Sequence, residues 1–341
     1  MDERWSFTRD PDTARLEDWA AARMPDPGGP PPTGPAAGQD RADWLAEVAL
    51  SRARHDAAAL AAGALFAPLI GPEPETWWAV KSSWERLAVA DGAIDVRLYR
   101  PLEPGPHAGV VLVHGGAYWM GGGAAGFALN DPLCRQLATE VGAVVVSVDH
   151  RLAPEHPFPA PVEDTYAALE WLAANAGGLG VDPDRLAVFG ISSGGNLVCQ
   201  AAQLAISRGG PRLAAQVLQC PSLDLTINSS RFEATEAEIA GARRLVAMYL
   251  GASGADARQA SPGLAPDLAG APPTLLVVAE FDVLAPDALA YAARLEAAGL
   301  EVTTRRYPMT HTTAVPAVYR RMHAETAAWL AAALGESRAG V

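Results

Sequence analysis

Short apolar runs alternate with longer amphipathic segments from Trp84 to the end of the chain. Continuous apolar runs such as VVLV (110–113) and TLLVVA (274–279) are typical of strands that are covered on both faces. The predicted strands are Arg86–Val89, Asp95–Tyr99, Gly109–Val113, Val144–Val148, Leu186–Gly190, Ala215–Gln219, Thr274–Ala279 and Val302–Tyr307. The predicted helices are Pro132–Val141, Pro161–Ala174, Gly195–Arg208, Asp287–Ala298 and Val318–Leu334. Strands that alternate with helices predict an α/β fold with a mostly parallel sheet and right-handed crossovers.

The pattern differs before residue 84. Two helices are predicted, Thr13–Met24 and Asp40–Phe66, on either side of a Pro/Gly-rich tract (25–38) that cannot continue a helix. A second irregular stretch, Asp224–Pro262, carries a helix near Glu236–Tyr249. We therefore expect two regions: an N-terminal helical cap or lid (1–83) with a Pro/Gly strap, and a body (84–341) with a cap insertion at about 224–262.

Composition excludes several classes of protein. The chain has 341 residues, of which 50% are hydrophobic, and a formal net charge of −13. Such an apolar fraction excludes a disordered protein, and the acid excess argues against nucleic acid as a partner, because phosphate contacts need a basic patch. The three cysteines form no CxxC pair, so we expect free buried thiols and no metal or organic cofactor. The N-terminus lacks the apolar core of a secretory signal. The most apolar uncharged run, Ala57–Ile70, has 14 residues, whereas a membrane span needs roughly 20, so we expect a cytoplasmic protein.

The strongest local signal is the G-x-S-x-G motif of residues 190–194, centred on Ser192. A predicted strand precedes it and a predicted helix follows it, which is the context that a nucleophile elbow requires. Glycines lack Cβ atoms, so strand and helix can approach closely and expose the serine hydroxyl at a helix N-terminus. The alternative is a Gly/Ser helix cap without a chemical role.

A second signal, HGGAYW (114–119), follows another predicted strand. Backbone N–H groups stabilise an oxyanion best where no side chain crowds the approach. Gly115 and Gly116 fit that need, together with the N–H of Ser193. The alternative is an ordinary glycine turn.

Residues Gly121–Gly126 spell G-x-G-x-x-G, the dinucleotide-binding fingerprint. The fingerprint should follow a strand directly, but HGGAYWM separates it from the strand that ends at Val113. We therefore predict a mobile glycine loop here, and a dinucleotide-dependent oxidoreductase is a weak alternative.

Three motifs together, HGGAYW (114–119), DHRLAPEHPFPAPVED (149–164) and GISSGGN (190–196), resemble those of the hormone-sensitive-lipase-like esterases, the HGGG/GDSAGG type. The resemblance covers about Trp84 to Leu334. It implies an α/β-hydrolase fold: a central, mostly parallel eight-stranded sheet flanked by helices, with a helical cap. It also implies a carboxylic ester hydrolase that acts on a small-molecule ester.

In this family the acid follows a late strand and the histidine follows the last one. The resemblance therefore implies Asp282 as the acid and His311 as the base, with Ser192 as the nucleophile. Glu280 and Asp287 are rivals for the acid. Histidine can take the serine proton near neutral pH, and a buried carboxylate fixes the imidazole tautomer.

The chain departs from the family pattern at four places. Ile191 replaces an acidic or polar residue, and His150 stands where the family often has tyrosine. Ala117 replaces a glycine in the oxyanion loop, and Thr312-Thr313 replaces Gly-Phe after His311. The change after His311 affects the expected shape of the pocket near that residue, but not the assignment of His311 as the base.

The favoured function is hydrolysis of esters with short to medium acyl chains, or of a small natural-product ester. The alternative is a non-hydrolytic relative that uses the same scaffold for acyl transfer, dehydration, cyclisation or binding. Tyr118 and Trp119 are candidate substrate-binding residues, and six of the nine tryptophans lie in the first 84 residues. The N-terminal tryptophans predict either an aromatic-lined pocket or the packing of cap helices onto the body. A homodimer is a further expectation.

Overall fold

The structure is a computed structural model that describes residues 10–29, 31, 33–227, 235–252 and 254–335. Its strands are β1 (Val80–Val89), β2 (Gly92–Pro101), β3 (His107–Val113), β4 (Ala143–Asp149), β5 (Val181–Ile191), β6 (Ala215–Gln219), β7 (Thr274–Phe281) and β8 (Val302–Thr310). Its α-helices are α1 (Pro11–Ala21), α2 (Arg41–Ile70), α3 (Gly123–Glu140), α4 (Ala160–Ala174), α5 (Ala176–Leu179), α6 (Ser193–Arg208), α7 (Glu236–Leu250), α8 (Ala285–Ala297) and α9 (Pro316–Gly335).

The eight strands form one sheet in the order β1-β2-β4-β3-β5-β6-β7-β8. Strand β2 is antiparallel to both β1 and β4, and the neighbours from β4 to β8 are parallel. The predicted α/β fold with a mostly parallel eight-stranded sheet is therefore confirmed. Parallel strands bring their carboxyl ends to one edge, so the loops after β3, β5, β7 and β8 can meet there.

Two apolar layers enclose the sheet, one on each face. Successive residues of β3 enter them alternately: Val111 and Val113 belong to one layer, and Val110 and Leu112 to the other. Helices α4, α6 and α8 cover the first layer, and α3 and α9 cover the second. This double cover explains why the β3 sequence is a continuous apolar run. All three cysteines are buried free thiols, as predicted.

Strand β1 and helix α3 begin six or more residues earlier than the sequence predicts. Strand β1 starts at Val80 rather than Arg86, because its first half is a largely exposed edge without a clear alternation. Helix α3 starts at Gly123 rather than Pro132, so the predicted mobile glycine loop is wrong for Gly123–Gly126. The Gly123 N–H donates to Asp149 Oδ1 (2.8 Å) and fixes the start of this helix.

The N-terminal region contains the two predicted helices. Helix α2 is longer than expected and continues past Pro68 to Ile70. Three parts of the predicted cap regions lie outside the described residues: residues 1–9 with Trp5, positions 30 and 32 of the predicted strap, and residues 228–234 and 253 of the predicted insertion. Helix α7 forms in the insertion and begins with a capping box between Thr235 and Glu238. No helix in the described ranges is long and apolar enough to cross a membrane. The division into cap and body stays a prediction.

Candidate active site

Ser192 lies in a sharp turn between β5 and α6. Its backbone adopts φ 55° and ψ −117°, an unfavourable conformation for a residue with a side chain. A Cβ at Gly190 would overlap the Gly194 carbonyl, and a Cβ at Gly194 would overlap the Val113 carbonyl. The two glycines therefore let three backbone segments meet at van der Waals distance, and the Ser192 N–H donates to Gln219 O (2.8 Å). This packing holds the strained serine at the carboxyl edge of the sheet.

Ser192, His311 and Asp282 form a hydrogen-bonded chain across that edge. Ser192 Oγ lies 2.8 Å from His311 Nε2, and His311 Nδ1 lies 2.6 Å from Asp282 Oδ2. Because a carboxylate accepts, Nδ1 carries the ring hydrogen and Nε2 is left to accept a proton from the serine. The three residues come from the ends of β5, β7 and β8; β7 and β8 are neighbours in the sheet, and β6 lies between β5 and β7.

The environment of His311 is one that suits a general base. Burial lowers the pKa of His311, but the hydrogen bond and the charge of Asp282 outweigh this effect, so its pKa is raised above the ordinary value. Asp282 is itself buried, and its Oδ1 accepts the Leu284 N–H (3.0 Å). About a third (34%) of the His311 side chain remains exposed. A substrate can therefore reach the imidazole, while the carboxylate is shielded from solvent.

The rival acids lie elsewhere. Glu280 Oε1 is 3.8 Å from Arg306 Nε on the neighbouring strand β8. Asp287 is buried in the first turn of α8. In the described part of the chain, the carboxylate that contacts His311 belongs to Asp282.

The predicted oxyanion donors lie beside the serine. The Gly116 carbonyl accepts the N–H groups of Trp119 (3.1 Å) and Met120 (3.0 Å), which closes a tight turn after β3. A Cβ at Gly115 would lie 3.0 Å from Ile191 O and 3.1 Å from Ser192 Cβ, so the loop packs directly against the elbow. Among the described residues, the N–H groups of Gly115 and Gly116 have no acceptor. These groups, with the Ser193 N–H at the start of α6, can receive negative charge that develops near Ser192 Oγ.

Tyr118 and Trp119 point into the protein rather than into an open pocket. They are only 5% and 2% exposed, respectively. Tyr118 stacks on Tyr249 of α7, with ring centroids 3.8 Å apart, and Trp119 meets the edge of His55 of α2 at 5.0 Å. Both side chains thus pack against helices, Tyr118 against α7 and Trp119 against α2, and their role in substrate binding stays a prediction.

The departures from the family pattern take part in local packing. His150 stacks on His114 with ring centroids 4.4 Å apart. Burial lowers the pKa of both residues, that of His150 to about 3, so the stacked rings are neutral near pH 7. After β8, Thr310 N–H donates to Thr313 O (2.9 Å), and Thr313 N–H donates to Thr310 Oγ1 (3.1 Å). Thr310 and Thr313 thus close a turn that holds His311. Thr310 is not among the residues singled out from the sequence.

The comparisons with known proteins agree with this geometry. Residues 110–314 match the family model described as "alpha/beta hydrolase fold", and the chain belongs to this family, within its hormone-sensitive-lipase-like esterases. The carboxylesterase NlhH of Mycobacterium tuberculosis is 40% identical over 239 residues, which cover 67% of this chain and 74% of the relative. The ethyl acetate hydrolase of Pseudomonas putida is 36% identical over 239 residues, 66% of this chain and 73% of the relative.

A solved structure gives the same result. The structure titled "Bacterial Heroin Esterase" superposes with a TM-score of 0.77 at 28% sequence identity, and the match covers 97% of this chain and 99% of that one. The predicted fold and family are therefore confirmed.

Proposed function

We propose that this protein is a serine hydrolase that cleaves carboxylic esters through an acyl-enzyme on Ser192. The observation that carries the proposal is the hydrogen-bonded chain from Ser192 Oγ through His311 to Asp282. The class of reaction, carboxylic ester hydrolysis, agrees with the relatives named carboxylesterase and carboxylic ester hydrolase.

The first half of the reaction forms the acyl-enzyme. Ser192 Oγ attacks the ester carbonyl carbon while its proton moves to His311 Nε2. The carbonyl oxygen becomes an oxyanion, stabilised by the backbone N–H groups of Gly115, Gly116 and Ser193. The tetrahedral intermediate then breaks its bond to the alcohol oxygen, which leaves with the proton from His311.

The second half repeats these steps with water. His311 takes a proton from a water molecule, whose oxygen attacks the acyl carbon. When the new intermediate collapses, Ser192 Oγ leaves and recovers the proton, and the carboxylic acid is released. Asp282 transfers no proton: it orients His311 and stabilises the imidazolium that forms in each half.

We expect a substrate with a short to medium acyl chain, or a compact natural-product ester. The ethyl acetate hydrolase among the relatives supports a small acyl group. Val283, which directly follows Asp282 in the chain and is exposed, is a candidate apolar contact for the acyl chain. The cap formed by the N-terminal helices and α7, the homodimer and the cytoplasmic location stay predictions.

A chain-length series of p-nitrophenyl esters, from acetate to decanoate, tests the proposal. Wild-type protein should hydrolyse the short and medium esters, and Ser192→Ala should remove the activity while the melting temperature stays within a few degrees. Ser193→Ala is the matched variant: it keeps the backbone N–H and should keep most of the activity. Activity that survives in Ser192→Ala and disappears in Ser193→Ala would show that the nucleophile has been assigned to the wrong serine.

A further inference from the structure

The oxyanion loop, residues 115–121, adopts a conformation that its own sequence does not favour. Ala117 (φ 48°) and Tyr118 (φ 70°) both have left-handed backbones, although neither is glycine. Such residues persist only where the surrounding structure fixes them more strongly than the strain opposes them. The contacts that hold this loop are therefore part of the machinery that places the oxyanion donors.

Arg52 of α2 provides the first of these contacts. Its Nε donates to Trp119 O (2.6 Å), and its Nη2 donates to Ala153 O (3.1 Å). A bidentate pair with Glu155, at 3.0 and 2.8 Å, holds the guanidinium in place. The Ala153 N–H in turn donates to Tyr118 O (2.9 Å). One side chain of the N-terminal region thus joins the oxyanion loop to the segment that supports it.

Asp56, one helical turn further along the same face of α2, provides the second contact. Its Oδ1 accepts the Gly121 N–H at 3.0 Å. Gly121 packs against the oxyanion donor Gly115: a Cβ at position 121 would lie 2.6 Å from Gly115 O. A displacement of Gly121 therefore changes the support behind Gly115, whose own carbonyl is also bonded to His114 Nδ1 (2.7 Å).

We propose that Arg52 and Asp56 are positioning residues that hold the oxyanion loop in its strained, donor-presenting conformation, so that α2 contributes to the rate of reaction and not only to cover over the site. The inference rests on the proposed function, because it assigns these residues to the same oxyanion hole. The two side chains act through the backbone of the loop and do not touch the reacting atoms.

The character of the contacts distinguishes positioning from simple attachment. Apolar burial on α2 comes from other residues, Trp44, Val48 and Ala58. Arg52 and Glu155 are shielded charges, 19% and 29% exposed, and Arg52 adds two carbonyl bonds on neighbouring loops. Loss of a cover should change access for substrate, and therefore KM. Loss of positioning should weaken binding of the transition state, and therefore kcat and the affinity for a transition-state analogue.

The test compares Arg52→Met and Asp56→Ala with Asp56→Asn, which keeps an acceptor oxygen, and with Arg54→Ala, an exposed control on the same helix. The readouts are kcat and KM for p-nitrophenyl butyrate, the inhibition constant of butylboronic acid, and the melting temperature. Removal of a single oxyanion donor costs about 10²–10³ in rate, so we expect losses in kcat of about 10- to 100-fold from displaced donors. Binding of the boronate should weaken in parallel, and KM should change little. Asp56→Asn and Arg54→Ala should keep kcat and boronate affinity near the wild-type values.

A raised KM with unchanged kcat and unchanged boronate affinity would overturn the inference and make α2 a cover alone. If Arg52→Met does not fold, the pair Asp56→Ala and Asp56→Asn decides the question. Wild-type protein that neither hydrolyses esters nor binds the boronate would refute the proposed function itself. Active wild type with equally active Arg52 and Asp56 variants would refute only the positioning inference.

Discussion

Two loops meet at Ser192, and different forces hold them. Backbone packing holds the elbow: Gly190 and Gly194 bring β5, α6 and the end of β3 into direct contact inside the apolar core. Side chains hold the oxyanion loop, and two of these, Arg52 and Asp56, come from helix α2, 65 or more positions before their partners in the chain. The first loop fits against its surroundings through its own glycines, Gly190 and Gly194, whereas the second depends on side chains from a distant region. Substitutions within the elbow should therefore impair the elbow, whereas substitutions far away in the chain should impair the oxyanion loop.

Among the variants that leave Ser192 in place, Asp282→Asn should have the largest effect. The amide keeps the shape of the side chain but favours the wrong tautomer of His311. The rate should fall by about 10⁴ near neutral pH, by analogy with the same substitution in serine proteases. The matched control is Glu280→Gln, which lies two residues earlier and should cost far less. If kcat/KM measurements show Glu280→Gln to be the crippled variant, the acid has been misassigned.

Gly194→Ala tests the backbone packing at the elbow directly. The added Cβ would overlap the carbonyls of Val113 and His114, so the elbow and β3 must move apart. Overpacking of this kind costs about 1–3 kcal/mol, and the displaced serine should lose most of its activity. Gly178→Ala is the matched control, because its Cβ would meet nothing within 4 Å. A Gly194→Ala protein with wild-type melting temperature and activity would show that close packing is not what holds this loop.

The pH dependence of kcat/KM should show the coupling of His311 to Asp282. His311 must be neutral to accept the serine proton, so activity is lost as the pH falls through its pKa. Since that pKa lies above the ordinary 6.5, the acid-side midpoint should also lie above 6.5. In Asp282→Asn the midpoint of the residual activity should move to lower pH, because the raising contribution is gone. A midpoint that stays unchanged in this variant would contradict the assigned coupling.

Deletion of residues 1–38 should have the smallest effect. It removes α1 and the strap but keeps α2 with Arg52 and Asp56. Helix α1 contacts the end of β8, directly before His311, since Thr310 Oγ1 donates to Glu17 Oε1 (2.7 Å). The deletion should therefore alter KM or chain-length preference by a few-fold while the melting temperature changes little. Glu17→Ala is the control that isolates this hydrogen bond, and loss of folded protein on deletion would show that the segment is structural.

The sequence predicts the elbow and the sheet well because their signals are local. A continuous apolar run is enough to place β3, and the glycines around Ser192 are visible beside it. The start of α3 was missed because its first turn consists of glycines and alanines that resemble a loop. Arg52 and Asp56 carry no local signal at all, since they are ordinary charged residues on a helix. Their partners, Trp119 and Gly121, are 65 or more positions away.

The most direct test of the whole account is to trap the acyl-enzyme and locate it. Protein mixed with a p-nitrophenyl ester and quenched in acid within milliseconds should gain the mass of one acyl group. Peptide mapping should place that group on Ser192, and Ser192→Ala should gain none. Acylation of Ser193 or of another residue, or steady turnover of the ester without any acylated protein, would contradict a mechanism built on Ser192.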